Sequence, residues 1–129
     1  MNRVHLACIG LGGRGTGLAN LVASMEDVRV AAVCDVYSDR VKQAIDHISE
    51  AHNYRPEGYT DYSDLLSRDD LDGVIVATSW TTHVEISLAA MQAGLYVGSE
   101  VGGASSIQEC WELVRTSEET GMPFMLLEN

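Results

Sequence analysis

The chain has 129 residues, 46% of them hydrophobic, and a formal net charge of −11 from eight Lys and Arg against 19 Asp and Glu. That length supports one domain with its own core, and so acidic a surface repels nucleic acid and anionic lipid, which removes both from the expected partners. No apolar run approaches the roughly 20 residues of a membrane helix. The N-terminus lacks the basic-then-apolar pattern of a signal peptide, so the expected location is cytoplasmic.

Arg3–Gly10 is β-rich and forms a first strand. Behind it Leu18, Leu21, Val22 and Met25 recur at helical spacing. Val28–Cys34, "VRVAAVC", is a near-continuous apolar run, the pattern of a strand covered on both faces. Ser38 is the expected cap of a second helix with the apolar stripe Val41, Ala44, Ile45 and Ile48. A short edge strand is expected near Gly58–Tyr59 and a short helix over Tyr62–Arg68. The acidic run Asp69, Asp70 and Asp72 reads as a solvated turn. Gly73–Thr78, "GVIVAT", is another buried strand. Thr82 and Glu85 have capping-box spacing for a helix ended by Gly94. Tyr96–Glu100 is a fifth strand. Ser106 and Glu109 cap a last helix, with Ile107, Cys110, Trp111 and Val114 expected to face inward, and Gly121 and Pro123 stop it before the strand Pro123–Leu127.

Strands alternating with helices predict an α/β fold, a doubly wound parallel sheet of six strands in the order 3-2-1-4-5-6. Cys8, Cys34 and Cys110 are odd in number and widely spaced, so they read as buried reduced thiols and not as a disulfide framework. His5, His47, His52 and His83 show no metal-ligand spacing, and no metal is expected.

Gly10, Gly12 and Gly15 spell G-x-G-x-x-G between the first strand and the first helix. An acid, Asp35, stands 20 residues after Gly15 at the end of the second strand. Gly10 permits the tight turn, Gly12 the approach of a pyrophosphate, and Gly15 the closeness of helix to strand. Gly13 completes the loop without an assigned task, Arg14 can add a positive charge, and the helix N-terminus offers free N–H groups to phosphate. Asp35 is placed to accept from the adenosine ribose hydroxyls and to repel a 2′-phosphate, which favours NAD over NADP; Arg40 nearby softens that preference. S-adenosylmethionine binding uses a similar loop and acid, but the loop here is introduced by "ACIG" and not by an acidic residue.

With "YTDYSDLL", "VIVATSWTTH", "AAMQAGLYVGSE" and the following helix, the whole chain resembles the N-terminal NAD(P)-binding Rossmann domain of the Gfo/Idh/MocA oxidoreductases. "TSWTTH" and "EVGGASSIQECWELV" are most similar to the branch of NAD-dependent glycoside hydrolases of the α-N-acetylgalactosaminidase type. The resemblance implies that Thr78, Ser79 and Trp80 line the nicotinamide side, that His83 is a neutral hydrogen-bonding group facing the cofactor, and that Glu100 reaches the nicotinamide ribose. In full-length relatives NAD takes a hydride from a sugar or inositol carbon. In the glycosidase branch the implied cycle oxidises the sugar's third carbon, eliminates the glycosidic bond, adds water and returns the hydride.

Two departures limit what the chain is expected to do. The family's catalytic lysine after that glutamate is Val101 here, and valine can neither give nor take a proton. Relatives also continue into a substrate-binding domain from about Asn129, so no catalytic residue is expected within the chain and a carbohydrate substrate only with that domain. The expectation is the NAD-binding domain of a sugar-directed oxidoreductase or redox glycosidase. The contrasting readings are a stand-alone NAD-binding module and a structural Rossmann domain without cofactor. An uncovered apolar face predicts a homo-oligomer.

Overall fold

Apolar alternation along the strands divides the core in two, and the division sets where each helix lies. The computed structural model describes residues 3–128; Asn129, where the continuation of relatives is expected to begin, lies outside them. In chain order the elements are β1 (Val4–Ile9), α1 (Gly13–Ala23), β2 (Val28–Cys34), α2 (Ser38–His52), β3 (Glu57–Tyr59), α3 (Tyr62–Leu66), β4 (Gly73–Val76), a 3₁₀ turn (Trp80–Thr82), α4 (His83–Gln92), β5 (Tyr96–Glu100), α5 (Ile107–Thr120) and β6 (Phe124–Leu127). All strand pairs are parallel and the order is β3-β2-β1-β4-β5-β6, as the alternation predicts.

Cys8, Val30, Val33 and Ile75 point to one face, where α1 brings Leu18 and Ala19 and α2 brings Val41, Ala44, Ile45 and Ile48. Ala7, Ile9, Ala32, Cys34, Val74 and Val76 point to the other, under Leu65 of α3, Ile86, Ala90 and Met91 of α4 and Leu113 of α5. Both faces of the central strands are therefore covered, which is why β2 reads as a near-continuous and β4 as an unbroken apolar run. The strand order reverses direction between β1 and β4, and the crevice at that switch point is where an open α/β sheet binds ligands.

Two expectations about caps are corrected. The α2 cap is Tyr37 and not Ser38, and no side chain caps there. Thr82 stands at the N-cap of α4 without a capping bond; its hydroxyl turns back to donate, lying 2.7 Å from Thr78 Oγ1 and 2.9 Å from the Ser79 carbonyl. Glu85, its expected box partner, accepts from the Tyr62 hydroxyl instead. The run Asp69–Asp72 is the expected solvated turn, with Asp69, Asp70 and Asp72 exposed, and it also carries bonds. Arg68 donates to both oxygens of Asp70 and to Glu57, while Asp72 accepts from the His5 N–H at 2.8 Å and so ties the start of β4 to β1. Only the last helix matches its expected caps in full: Ser106 accepts from the Glu109 N–H, and Gly121 closes the helix in the left-handed region.

The α5 face is the larger correction. Ile107, Trp111 and Val114 are exposed, Trp111 by 62%, and Leu113 alone of α5 is buried. Cys110 lies exposed on the same outer face, contrary to the expected burial of all three cysteines. With Met125 and Leu126 of the edge strand β6 also exposed, this end of the sheet carries an uncovered apolar surface.

Gly17 lies exposed in the middle of α1, and a Cβ there would meet nothing within 4 Å. Gly17→Ala is accordingly expected to stabilise the domain by about 0.5–1 kcal/mol, the helix-propensity difference between the two residues. Urea denaturation followed by circular dichroism measures this, and a lower midpoint in the variant would refute it.

Candidate functional site

The glycine loop separates into residues the fold requires and one it leaves free. Gly10 has φ +98°, its N–H donates to the Cys34 carbonyl at 2.8 Å, and a Cβ on it would stand 2.4 Å from the Ala77 carbonyl oxygen. A Cβ on Gly15 would stand 1.9 Å from the Gly10 carbonyl oxygen, so α1 sits on β1 only because that residue has no side chain. Gly12 differs: its backbone is extended at φ −71°, and an added Cβ would meet only Arg40 Nη1 at 3.8 Å. Thr16 fixes the loop from within the helix, its hydroxyl donating to the Leu11 carbonyl at 2.9 Å. The first N–H groups of α1 have no carbonyl within the helix and receive no side-chain cap.

Asp35 ends β2 with its side chain 7% exposed. Its two oxygens accept from the Leu11 N–H at 2.8 Å and the Tyr37 N–H at 2.9 Å. It therefore locks the glycine loop to the β2 turn, and each oxygen keeps a further lone pair for a ligand hydroxyl. Arg40 Nη1 is 3.7 Å from Asp35 Oδ2, and the guanidinium lies over the Tyr37 ring. Sequence spacing identified Asp35 and Arg40. Tyr37 and Thr16 were missed, since an aromatic after an acid and a threonine inside a helix carry no motif.

At the end of β4, Thr78 and Ser79 reach the crevice beside the loop. His83 is 1% exposed and does not line it: its Nε2–H donates to the Thr78 carbonyl at 2.8 Å, while Nδ1 is buried without a partner. The imidazole thus fixes the backbone that carries Thr78. Trp80 is 70% exposed and rests against Gly102, whose added Cβ would come within 2.9 Å of the indole. Glu100, at the end of β5, accepts from Arg14 Nε at 3.0 Å.

Between these groups lies a cleft of about 730 Å³, lined by Gly10, Gly12, Asp35, Tyr37, Arg40, Tyr62, Thr78, Ser79, Thr82, Glu85 and Ile86 among others. Gly13, Arg14, Gly15, Trp80, His83 and Glu100 do not line it. Cys34 does, but burial pushes its thiol up to about 12, so it stays protonated and is no nucleophile near neutral pH. Burial and the hydrogen bond to Glu85 likewise raise the Tyr62 phenol, keeping it a donor. Among the described residues no three His, Cys, Asp or Glu side chains are placed to hold a metal ion, and no helix is long and apolar enough to cross a membrane.

A doubly wound sheet with a glycine turn, a free helix N-terminus and a carboxylate at the β2 end defines a dinucleotide-binding domain. Residues 4–127 match the Gfo/Idh/MocA oxidoreductases, described as an oxidoreductase family with an NAD-binding Rossmann fold, and the chain belongs to that family. A glycosyl hydrolase family 109 protein of Stenotrophomonas maltophilia is 39% identical over 98% of this chain and 29% of its own length. Scyllo-inositol dehydrogenase from Lactobacillus casei, solved with NAD(H) and scyllo-inositol, shares the fold with a TM-score of 0.88 at 20% identity, over 97% of this chain and 36% of that one. A 3-ketoreductase from Actinomadura kijaniata, solved with TDP-benzene and NADP, does so with a TM-score of 0.86 at 23% identity, over 97% and 37%. The chain thus spans less than a third of the length of the curated relatives it matches, 29% in the case above.

Proposed function

We propose that this chain binds NAD in preference to NADP and presents its nicotinamide to a carbohydrate or polyol, as the dinucleotide-binding domain of a sugar-directed oxidoreductase. The observation that carries the reading is the contrast within the glycine loop. Gly10 and Gly15 answer to the fold, whereas Gly12 borders open space beside unpartnered helix N–H groups, which is what an approaching pyrophosphate needs. In this reading Gly10, Gly12, Gly13 and Gly15 form the cradle, with Arg14 supplying charge to the phosphates. Asp35 accepts from the adenosine ribose. Thr78, Ser79 and Trp80 flank the nicotinamide half, Glu100 takes its ribose, and His83 contributes by holding Thr78. NAD, when bound, supplies the hydride chemistry. The residues of this chain bind and orient it, and the proton transfers fall to groups elsewhere, since Val101 follows Glu100. A cytoplasmic location suits three unpaired cysteines, and the uncovered α5–β6 surface supports an associating domain.

Calorimetric titration with both cofactors tests the reading. A 2′-phosphate would meet the Asp35 carboxylate, so NAD is expected to bind about tenfold or more tighter than NADP. Arg40→Ala, which removes the only cation among the described residues that line the cleft, is expected to widen the gap. Tighter binding of NADP to the unaltered protein would overturn the preference.

A second reading, redox glycoside cleavage, is favoured by the relative named for glycosyl hydrolase family 109. Release of the sugar without net reduction of NAD by a longer protein containing this domain separates it from simple dehydrogenation.

A further inference from the structure

The contact between Arg14 and Glu100 joins residues 86 apart in sequence. It also crosses the sheet. Arg14 lies in the first turn of α1, which follows β1, and Glu100 ends β5, with β4 between those strands. The ion pair therefore bridges the carboxyl end of β4, over the half of the crevice that the nicotinamide would occupy. The cleft itself is bounded on the adenosine side by Asp35, Tyr37 and Arg40 and includes neither partner of the bridge. The Glu100 side chain is only 18% exposed, so a carboxylate left there without a partner is disfavoured. Arg14 uses Nε alone in this contact.

Resting on the dinucleotide reading above, we infer that the Arg14–Glu100 pair sets specificity for a dinucleotide over adenine mononucleotides that fit the same adenosine half. A pyrophosphate at the α1 N-terminus draws Arg14 away from Glu100. With ADP, nothing replaces Arg14 and the carboxylate is left unpaired. With NAD, the second ribose brings hydroxyl donors to the β5 end, and Glu100 accepts from them as Arg14 turns to phosphate. The pair thus acts as an exchange of partners that only a ligand with both halves completes.

Calorimetric titration of ADP and of NAD into the unaltered protein, Glu100→Gln, Arg14→Gln and the double variant tests this, with melting temperatures confirming that each is folded. Glu100→Gln is expected to tighten ADP roughly tenfold, the order of one charge-assisted hydrogen bond no longer opposed, and not to tighten NAD. Arg14→Gln is expected to weaken both ligands. In the Arg14→Gln background, Glu100→Gln should no longer tighten ADP, because the coupling and not the bulk charge carries the effect. Unchanged ADP affinity in Glu100→Gln, or equal tightening in both backgrounds, overturns the inference and leaves the dinucleotide site standing. Failure of the unaltered protein to bind either ligand removes the underlying reading and this one with it.

Discussion

Gly15→Ala is expected to destabilise the domain by about 3 kcal/mol or more, at the upper end of overpacking penalties. The added Cβ would stand 1.9 Å from the Gly10 carbonyl oxygen and 3.4 Å from Ala77 Cβ. Gly10 cannot yield, because its N–H is bonded to the Cys34 carbonyl and the Ala77 carbonyl fills the space where its own Cβ would stand. Helix α1 must then lift from β1, loosening Leu18 and Ala19 in the core on that face. Chemical denaturation measures the loss. Gly13→Ala is the control, since its Cβ would meet nothing within 4 Å. A Gly15→Ala protein as stable as the parent would show that the helix does not ride on the strand as the structure has it.

Gly12→Ala is expected to do the opposite: leave stability nearly unchanged and weaken NAD by about tenfold or more, equivalent to roughly 1.4 kcal/mol. Its φ of −71° suits any residue, and its Cβ would make one ordinary contact with Arg40. The only occupant that Cβ would obstruct is a ligand at the helix N-terminus. Melting temperature and NAD titration on the same preparation decide the matter. Retained affinity would mean that the pyrophosphate does not approach over Gly12 and would undo the proposed binding mode. The two variants together separate the two tasks of one motif.

Strand order was legible because the period of the apolar pattern switches between strand and helix at each element, and a doubly wound sheet is the standard burial of such a pattern. Asp35 was legible because its distance from the glycines follows from the length of one helix and one strand. The caps were less so. Ser38 and Thr82 have the right chemistry for N-caps, but Tyr37 holds the cap position of α2, and the Thr82 hydroxyl turns back to Thr78 and the Ser79 carbonyl. Ile107, Cys110, Trp111 and Val114 do share one face of α5, as their spacing requires. Periodicity says which residues lie together and not which side is covered, and here that side points outward.

The alternation of elements, the glycine turn and the acid that pins it are readable along the chain, since they rest on local sterics and short-range spacing. Three further features depend on contacts between segments distant in sequence or on how the helices pack. Gly10 and Gly15 are demanded by the fold while Gly12 stays free, a distinction that depends on where Ala77 and the Gly10 carbonyl come to lie. His83 turns inward to hold Thr78, because α4 packs its first turn against the sheet. Arg14 and Glu100 meet across β4, because parallel crossovers bring the ends of β1 and β5 to the same edge, and no spacing along the chain encodes that encounter.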